Sequence, residues 1–449
     1  MRRPIAAVAA AVCAAVLLAG CTSGADDGGD RHGESVSPSP GQTGAAPTTA
    51  PDDKVRGFSS DAKLYAPEPA ADIQKAVDAV KKSDAADGRK LQQMIDTPHA
   101  VWLNGGDESH VYQQVHQAVT AAAAQNAVPV FVAYNVPGRD CGDYSAGGAK
   151  DNAEYSGWIG SLASAIGDAH AVVILEPDSL GLLPSACDHP DKSIDDDSRY
   201  QALGEAVRRL EKQQHTAVYL DGTNSNWLPV GTAAERLAKA GVAEAQGFFL
   251  NVSNFESTDD QLRYGRWVSE CLAYVAAGRG GYSDCANQFH SASDQRAAQT
   301  DAWYRANTTG LKAETHFVID TSRNGRPVSD MTQYGSGTKY GQSADVVKTL
   351  RAGRWCNPPG AGLGAQPQVA PSALVDAYLW VKTPGVSDGR CDAAGGARAW
   401  DYSAYSASGW PTTPAAQRTF DPLWGVEDPP AGTWFTKAAL GLVRNAAQG

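Results

Sequence analysis

AVVILEPD, residues Ala171–Asp178, is an apolar run that ends in two carboxylates separated by a proline. A continuous run of aliphatic residues predicts a strand that is buried on both faces, as in parallel sheets. Because side chains alternate along a strand, Glu176 and Asp178 are predicted to share one side at its carboxyl end. In barrels of parallel strands, the chemistry takes place at that end. A structural role fits the same residues, with Asp178 capping a helix from Ser179 and Glu176 paired inside.

The same pattern recurs from about residue 60 onward, as a short apolar strand with a polar tip, a loop and then a helical stretch. The predicted strands are Ala100–Asn104, Val128–Asn135, Ala171–Asp178, Thr216–Asp221, Gly247–Asn251, Thr315–Asp320 and Asp376–Lys382. The predicted helices are Ser109–Gln125, Glu154–Asp168, Arg199–Gln213 and Ala233–Ala240. Alternating strands and helices indicate a parallel α/β fold, open or closed. Polar tips on every strand favour a barrel with functional groups at one mouth, since open sheets concentrate such groups at a switch point.

Two long segments interrupt this pattern. Cys271–Ala313 and Arg390–Trp434 are rich in Gly and polar or aromatic residues, and we expect them to be irregular. Loops of such length typically cover a functional site. No GxGxxG or P-loop pattern follows any strand, so we expect no nucleotide cofactor.

The first 20 residues predict an export signal, with a basic start at Met1–Arg3 and an apolar run over Ile5–Gly20. The run ends in LAGC, which resembles the bacterial lipobox, in which Cys21 would carry lipid; an ordinary signal peptide or a short membrane helix fits as well. Residues 21–55 are rich in Gly, Ser, Pro and Thr and predict a flexible tether. Residues 56–449 form the predicted globular domain. We therefore expect an exported protein, secreted or held at the outer membrane face by Cys21.

The charge and the cysteines narrow the class of protein. A net charge of −12 argues against nucleic acid as a partner and against a basic membrane-binding patch. Beyond Cys13 and Cys21, six cysteines remain, and in an exported chain they predict disulfides, for which sequential pairing is the simplest of many arrangements. No CxxC spacing occurs, so no zinc site or other metal site is expected.

Acidic and aromatic residues accumulate around the strand ends. They are Asp140, Asp178, Asp221, Asp320 and Asp388, with Trp102, Tyr134, Trp227, Trp355 and Trp380. Two carboxylates suffice for glycosidic hydrolysis, one as the acid and one to activate water or to attack the sugar. Further carboxylates raise the pKa of the acid. Flat indole faces suit pyranose rings, although each tryptophan alone fits core packing as well.

Seven stretches resemble glycoside hydrolase family 6, the inverting cellulases that act on β-1,4-glucan. They are YNVPGRDCGDYSAGGA (134–149), ILEPDSLGLL (174–183), YLDGTNSNWL (219–228), LNVSNF (250–255), HFVIDTSRNG (316–325), WCNPPGAGLG (355–364) and DAYLWVKTPGVSDG (376–389). The resemblance covers residues 60–445 and implies a distorted seven-stranded parallel (β/α) barrel, similar to a TIM barrel. It implies a cofactor-free hydrolase that acts as a monomer on β-glucan or cello-oligosaccharides.

The resemblance also implies residue roles. Asp178 is the general acid, Asp140 supports the acid and the water network, Asp388 is the proposed base, Asp221 shapes the site and Tyr134 lies beside the distorted sugar. The resemblance assigns sugar contacts to Trp102, Trp227, Trp355, Lys382 and Asn224. The implied disulfides are Cys141–Cys187 and Cys356–Cys391, with Cys271–Cys285 as an additional bridge. Asp320 fits a second role equally well, in which it orders a loop through Arg323.

Two positions depart from the family pattern. Val386 stands where a sugar-binding Glu is usual, and Asn224 stands where His is frequent. Losing a carboxylate hydrogen bond costs about 1.5–3 kcal/mol at that contact. The sequence favours an endoglucanase. The alternatives are a cellobiohydrolase with a loop-roofed tunnel and a weakly active glycan-binding lipoprotein.

Overall fold

The computed structural model describes residues 61–142, 145–187, 194–288, 295–326, 328, 331–338, 340–391, 420–421, 424 and 426–446. All of them belong to one unit, Asp53–Gly449. The predicted signal, Cys21 and the whole tether lie outside the described residues, as does most of the predicted loop Arg390–Trp434.

Seven parallel strands form the sheet and follow one another in chain order. They are β1 (Val101–Leu103), β2 (Val130–Ala133), β3 (Ala171–Leu175), β4 (Thr216–Asp221), β5 (Gly247–Leu250), β6 (His316–Asp320) and β8 (Val375–Leu379). At one edge, β7 (Gln368–Ser372) pairs antiparallel with β8. A separate short pair joins β9 (Phe420–Asp421) and β10 (Val426–Glu427). The sheet curls as a distorted α/β barrel, which confirms the predicted fold class.

Helices cover the outside of the sheet. They are α1 (Ala71–Ser83), α2 (Ala85–Ile95), α3 (Glu108–Ala124), α4 (Asn152–Ile166), α5 (Asp196–Leu210), α6 (Val230–Lys239), α7 (Thr258–Ala276), α8 (Gln295–Asn307), α9 (Ala344–Ala352) and α10 (Thr436–Arg444). All four predicted helices are present. The expectation of an irregular Cys271–Ala313 was wrong in part, because α7 continues to Ala276 and α8 lies within the segment. Both helices bury side chains at helical spacing, such as Val268 with Cys271 in α7 and Thr300 with Tyr304 in α8.

Two apolar layers explain the unbroken apolar strands. Every residue of β3 is buried, with Val173 and Leu175 packed in the layer beneath the helices and Val172 and Ile174 in the barrel interior. A strand between two apolar layers needs apolar residues on both faces. The continuous aliphatic run of Ala171–Leu175 is thereby explained.

The barrel is distorted where β1 faces β8, since the two strands do not pair in the sheet. Just beyond the strands, the Ala100 amide donates to the Trp380 carbonyl oxygen at 2.9 Å. The Trp102 indole Nε1 donates to the Val381 carbonyl oxygen at 2.8 Å. These two bonds join the edges beside the carboxyl end of β8. In the described part of the chain, no helix has the length and apolar character needed to cross a membrane.

Candidate active site

The strand that carries the acidic pair ends earlier than the sequence predicts. β3 stops at Leu175, and both Glu176 (φ 55°) and Asp178 (φ 68°) take left-handed backbone conformations. Such conformations are uncommon outside glycine and mark strained or functional positions. They end the strand alternation, so the expectation that both carboxylates share one side was wrong.

Glu176 is buried and links the ends of β2 and β3. Its carboxylate accepts the amide of Asn135 at 2.9 and 2.8 Å and that of Val136 at 2.9 Å. Burial raises the pKa of Glu176 to about 7, although these backbone bonds oppose the rise. Glu176 therefore fixes the chain that leaves β2, as the structural reading of this residue expects.

The turn after Asp178 is fixed from two neighbouring elements. Asp221, at the end of β4, accepts the amides of Leu180 at 3.1 Å and Gly181 at 3.2 Å, and that of Thr223 at 2.8 Å. From α6, Arg236 donates to the carbonyl oxygens of Leu180 at 2.6 Å and Gly181 at 3.1 Å. Asp221 thus positions the backbone that carries Asp178.

Asp178 is a carboxyl group that favours its protonated form. Burial raises its pKa well above the ordinary value, and the negative charges of Asp221, Asp140 and Asp388 raise it further. Lys382 opposes this rise. A carboxyl group whose pKa is raised keeps its proton to higher pH and is suited to donate it.

Asp140 and Tyr134 follow β2, which borders β3 on the side opposite to β4 and Asp221. Asp140 follows β2 in a short turn next to Cys141, and it accepts the Ser145 amide at 2.7 Å. Tyr134 packs edge-on against Trp102, with ring centroids 5.5 Å apart, and the Arg139 guanidinium lies 4.4 Å from its ring centre. Burial, then Asp178 and Asp140, raise the pKa of the Tyr134 hydroxyl. Both acids therefore lie within electrostatic range of one phenol.

Asp388 is held in the opposite protonation state. Arg323 Nη1 lies 2.9 and 2.8 Å from its two oxygens, and Lys382 Nζ lies 2.9 Å from one of them. The Asn357 amide donates to it at 3.0 Å. Burial alone would raise the pKa of Asp388, but Arg323 and Lys382 bring it below the ordinary value. Asp388 is consequently an ionised carboxylate.

Asp320 organises loops through main-chain amides. It accepts the amides of Ser253 at 3.1 Å, Ser322 at 2.9 Å, Val381 at 3.2 Å and Lys382 at 3.0 Å. The loop-ordering role is as expected for Asp320, but the partner is different. Arg323 pairs with Asp388 instead.

The predicted aromatic residues separate into two groups. Trp355 is 44% exposed, and Trp102 and Trp227 are half-buried. Trp380 is 1% exposed, donates its Nε1 to the Ala365 carbonyl oxygen and packs in an apolar cluster. The expectation that Trp380 lines the mouth was therefore wrong. Asn224 is buried and its Oδ1 accepts the Asn226 amide at 2.9 Å, which closes a local turn.

All three predicted disulfides are present: Cys141–Cys187, Cys271–Cys285 and Cys356–Cys391. The first adjoins Asp140. The third joins the segment after Trp355 to the segment after Asp388, and Asn357 bonds reciprocally with Asp388 between them. Among the described residues, no group of three or more His, Cys, Asp or Glu side chains is arranged to hold a metal ion.

One buried arginine of the site, Arg199, was missed by the sequence analysis. Arg199 donates to the Ser179 carbonyl oxygen at 3.0 Å and to that of Pro137 at 2.9 Å, so it ties together the loops after β2 and β3. One signal was available. Arg199 lies three and seven residues before Ala202 and Ala206, on the apolar face of α5, where a charged residue needs a buried partner.

Known proteins are similar to this chain in sequence and fold. Residues 59–446 match the family model described as "Glycosyl hydrolases family 6". Endoglucanase A of Cellulomonas fimi is 32% identical over 324 residues, which cover 72% of this chain and 56% of that protein. Endoglucanase 1 of Streptomyces halstedii is 32% identical over 337 residues, which cover 74% of this chain and 84% of that protein.

The solved structure of the endoglucanase Cel6 from Mycobacterium tuberculosis superposes with a TM-score of 0.55 at 28% identity. The match covers 86% of this chain and 97% of that one. That structure contains a bound methyl-cellobiosyl-thio-β-cellobioside.

Proposed function

This chain belongs to glycoside hydrolase family 6, and from that premise we propose that it hydrolyses β-1,4-glucosidic bonds of cellulose or a related β-glucan with inversion. One observation carries the proposal: two acidic groups at one mouth have pKa values displaced in opposite directions. Burial and neighbouring carboxylates raise the pKa of Asp178. Arg323 and Lys382 lower the pKa of Asp388. Such a pair supplies one proton donor and one ionised carboxylate.

In the proposed mechanism, Asp178 protonates the leaving glycosidic oxygen while water attacks the anomeric carbon from the opposite face. Inverting enzymes separate their two carboxyl groups by ~6.5–9.5 Å to leave room for that water. Asp140 and Asp221 maintain the protonated form of Asp178. Asp388 takes up the released proton through water; its lowered pKa keeps it ionised but makes it a weak base.

Substrate contacts follow from the accessible aromatic faces. We assign sugar stacking to Trp102, Trp227 and Trp355, because half-buried or exposed indoles offer flat apolar faces to pyranose rings. Tyr134 would lie beside the sugar at the cleavage point. Lys382 and Asn224 are assigned to sugar hydroxyls, with Lys382 also fixed to Asp388.

Endo action is favoured, because the curated relatives from Cellulomonas fimi and Streptomyces halstedii are endoglucanases. A cellobiohydrolase would release mainly cellobiose and would reduce the viscosity of carboxymethylcellulose slowly. An endoglucanase would reduce viscosity early relative to the reducing ends released. This ratio decides between the two modes.

We also propose export with lipid on Cys21 and residues 21–55 as a tether, so that a monomeric catalytic domain stands outside the cell. Three disulfides among the described residues support an oxidising compartment. Metabolic labelling with a palmitate analogue should mark the wild type and not Cys21→Ser. Equal labelling of both would overturn the anchor.

The decisive experiment is proton NMR of fresh cellopentaose digests. The wild type should release α-anomeric product first, and Asp178→Ala should release none. Initial β-anomer, or full activity without Asp178, would contradict the mechanism. A glycan-binding protein without activity would leave cellopentaose intact while the oligosaccharide raises its melting temperature.

A further inference from the structure

The loop that carries Trp227 is fixed from outside the barrel. We call residues 222–229 the Trp227 loop. The Gln288 carboxamide Nε2 donates to the carbonyl oxygens of Ser225 at 3.1 Å and Leu228 at 2.8 Å. These two carbonyls lie on either side of Trp227 in the sequence. A single side chain therefore bridges both ends of the short stretch that holds this indole.

Gln288 itself stands on a fixed segment, Cys285–Gln288, which we call the bracket. Three bonds fix the bracket: the Cys271–Cys285 disulfide to α7, the Tyr304 hydroxyl to the Ala286 carbonyl oxygen at 2.9 Å, and the Thr300 hydroxyl to the Asn287 carbonyl oxygen at 3.0 Å. Both α8 donors are buried. The bracket is thus tied to two helices before it reaches the Trp227 loop.

A second set of bonds comes from α7. The Gln261 carboxamide accepts the Ser225 amide at 3.2 Å and donates to the Ser225 hydroxyl at 2.6 Å. The Tyr264 hydroxyl donates to the Leu228 carbonyl oxygen at 2.8 Å. Gln261 and Tyr264 are fully buried. The two residues that Gln288 bridges are therefore also the points at which α7 fixes the loop.

The Trp227 ring reaches the turn that follows Asp178. A Cβ placed on Gly181 would lie 2.5 Å from Cη2 of Trp227, so the indole packs directly on this glycine. Gly181 is in turn bonded to Asp221 and Arg236. A displacement of the Trp227 loop would therefore move the indole relative to the Asp178 turn.

We propose that Gln288 is a positioning residue, which sets the Trp227 indole against the Asp178 turn and so determines the affinity of the adjacent sugar subsite. This inference rests on the proposed glucanase function. Within the described residues, the buried Oε1 of Gln288 has no hydrogen-bond partner, so its hydrogen bonds are made by the amide group that reaches the Trp227 loop. The bracket and its disulfide hold Gln288 in place for this task.

The test compares Gln288→Met with a matched control, Gln213→Met. Gln213 also donates its carboxamide to a backbone carbonyl, that of Ala163 at 2.7 Å, but from the turn after α5 to helix α4. In an Asp178→Asn background, calorimetry with cellotetraose should show about five- to twenty-fold weaker binding for Gln288→Met and no change for Gln213→Met. In a Trp227→Ala background, Gln288→Met should cause no further loss, because both changes act on one contact. Equal effects of the two Gln variants, or independent effects of Gln288→Met and Trp227→Ala, would overturn the proposal.

A ligand-free measurement separates this inference from the proposed function. With 5-fluorotryptophan incorporated, the Trp227 resonance is assigned through Trp227→Phe. It should shift or broaden in Gln288→Met and stay in place in Gln213→Met. An unmoved resonance would overturn the positioning role even if cellopentaose is cleaved. A moved resonance in a protein that does not cleave cellopentaose would leave the positioning role standing and contradict the glucanase function.

Discussion

Arg323 Nη1 bonds both carboxylate oxygens of Asp388, at 2.9 and 2.8 Å, and both side chains are buried. Lys382 adds a second cation at 2.9 Å. Because the same Lys382 also lowers the pKa of Asp178, the two acids are coupled through one ammonium group. The network therefore fixes the charge of one acid and moderates the proton affinity of the other.

Asp388→Ala should destabilise the protein most at neutral pH. The folded-state pKa of Asp388 lies below its unfolded value near 3.9, so its contribution is full above that pH and is lost as the pH falls through the folded value. Removing one partner leaves buried cations unpaired, which costs about 3–5 kcal/mol. Urea unfolding of wild type and variant at pH 7 and below pH ~4 should show this difference shrinking in acid.

Glu235→Ala is the control, since Glu235 pairs with Lys239 at 2.9 Å on the exposed face of α6. Screened surface pairs contribute little, so this variant should unfold nearly as the wild type at either pH. An Asp388→Ala penalty that stays constant with pH would contradict the ionised state of Asp388.

Asp221→Asn should move the basic limb of the kcat/KM profile to lower pH. Burial is the larger cause of the raised pKa of Asp178, and the Asp221 carboxylate is the next. An asparagine Oδ1 can still accept the amides of Leu180 and Gly181 while the like charge disappears, so Asp178 would lose its proton at lower pH. Cellopentaose hydrolysis between pH 5 and 9 measures the shift. Asp151→Asn, at the start of α4, should leave the limb in place, and an unmoved limb in Asp221→Asn would contradict the coupling.

The strands and their acidic tips were predictable because each is a local pattern in the sequence. A strand such as Thr216–Asp221, with an apolar run and a polar tip, has the same bounds in the sequence and in the structure. The end of β3 was not predictable, since the carboxylate of Glu176, where the backbone turns left-handed, binds amides that Asn135 and Val136 supply from the segment after β2.

The tertiary contacts of single side chains could not be predicted from the sequence either. A tryptophan beside a strand tip looks the same whether it faces the mouth or the core, and only packing assigns Trp380 to the core. Likewise, Arg323 is close to Asp320 in the sequence, yet the fold pairs it with Asp388, which is 65 residues away.

Glu176→Gln should flatten the pH dependence of stability. Burial raises the folded-state pKa of Glu176 from 4.5 to about 7. The wild type therefore has its full contribution below pH ~4.5 and loses it as the pH rises to about 7. The difference in unfolding free energy between wild type and Glu176→Gln should thus change in favour of the variant from pH 5 to 8.

Glu154→Gln, in the exposed pair with Lys150, supplies the baseline for this comparison. A wild-type curve that runs parallel to that of Glu176→Gln over the same range would show that Glu176 does not titrate there. Guanidinium unfolding at four pH values is sufficient to distinguish the two outcomes.

Trp380→Ala should reduce stability, whereas Trp355→Ala should reduce sugar binding. Trp380 is fully buried, so its removal leaves a cavity that costs about 3–5 kcal/mol of unfolding free energy. Trp355 is 44% exposed, so its removal should change stability little and weaken cellotetraose binding. Thermal unfolding and calorimetry on both variants test the assignment. Lost stability in Trp355→Ala with unchanged binding would place Trp355 in the packing instead.

Val386→Glu should strengthen sugar binding at the mouth. Val386 is partly exposed and lies two residues before Asp388, on a stretch whose backbone is fixed to Thr433 and Phe435. A carboxylate there can accept a sugar hydroxyl, a bond worth about 1.5 kcal/mol or more, which corresponds to roughly tenfold in kcat/KM. Val386→Leu adds bulk without an acceptor and should show no gain with cellotetraose. If Val386→Glu is no better than Val386→Leu, the mouth does not bring a sugar hydroxyl to residue 386, and the preference for glucan must be set by other contacts.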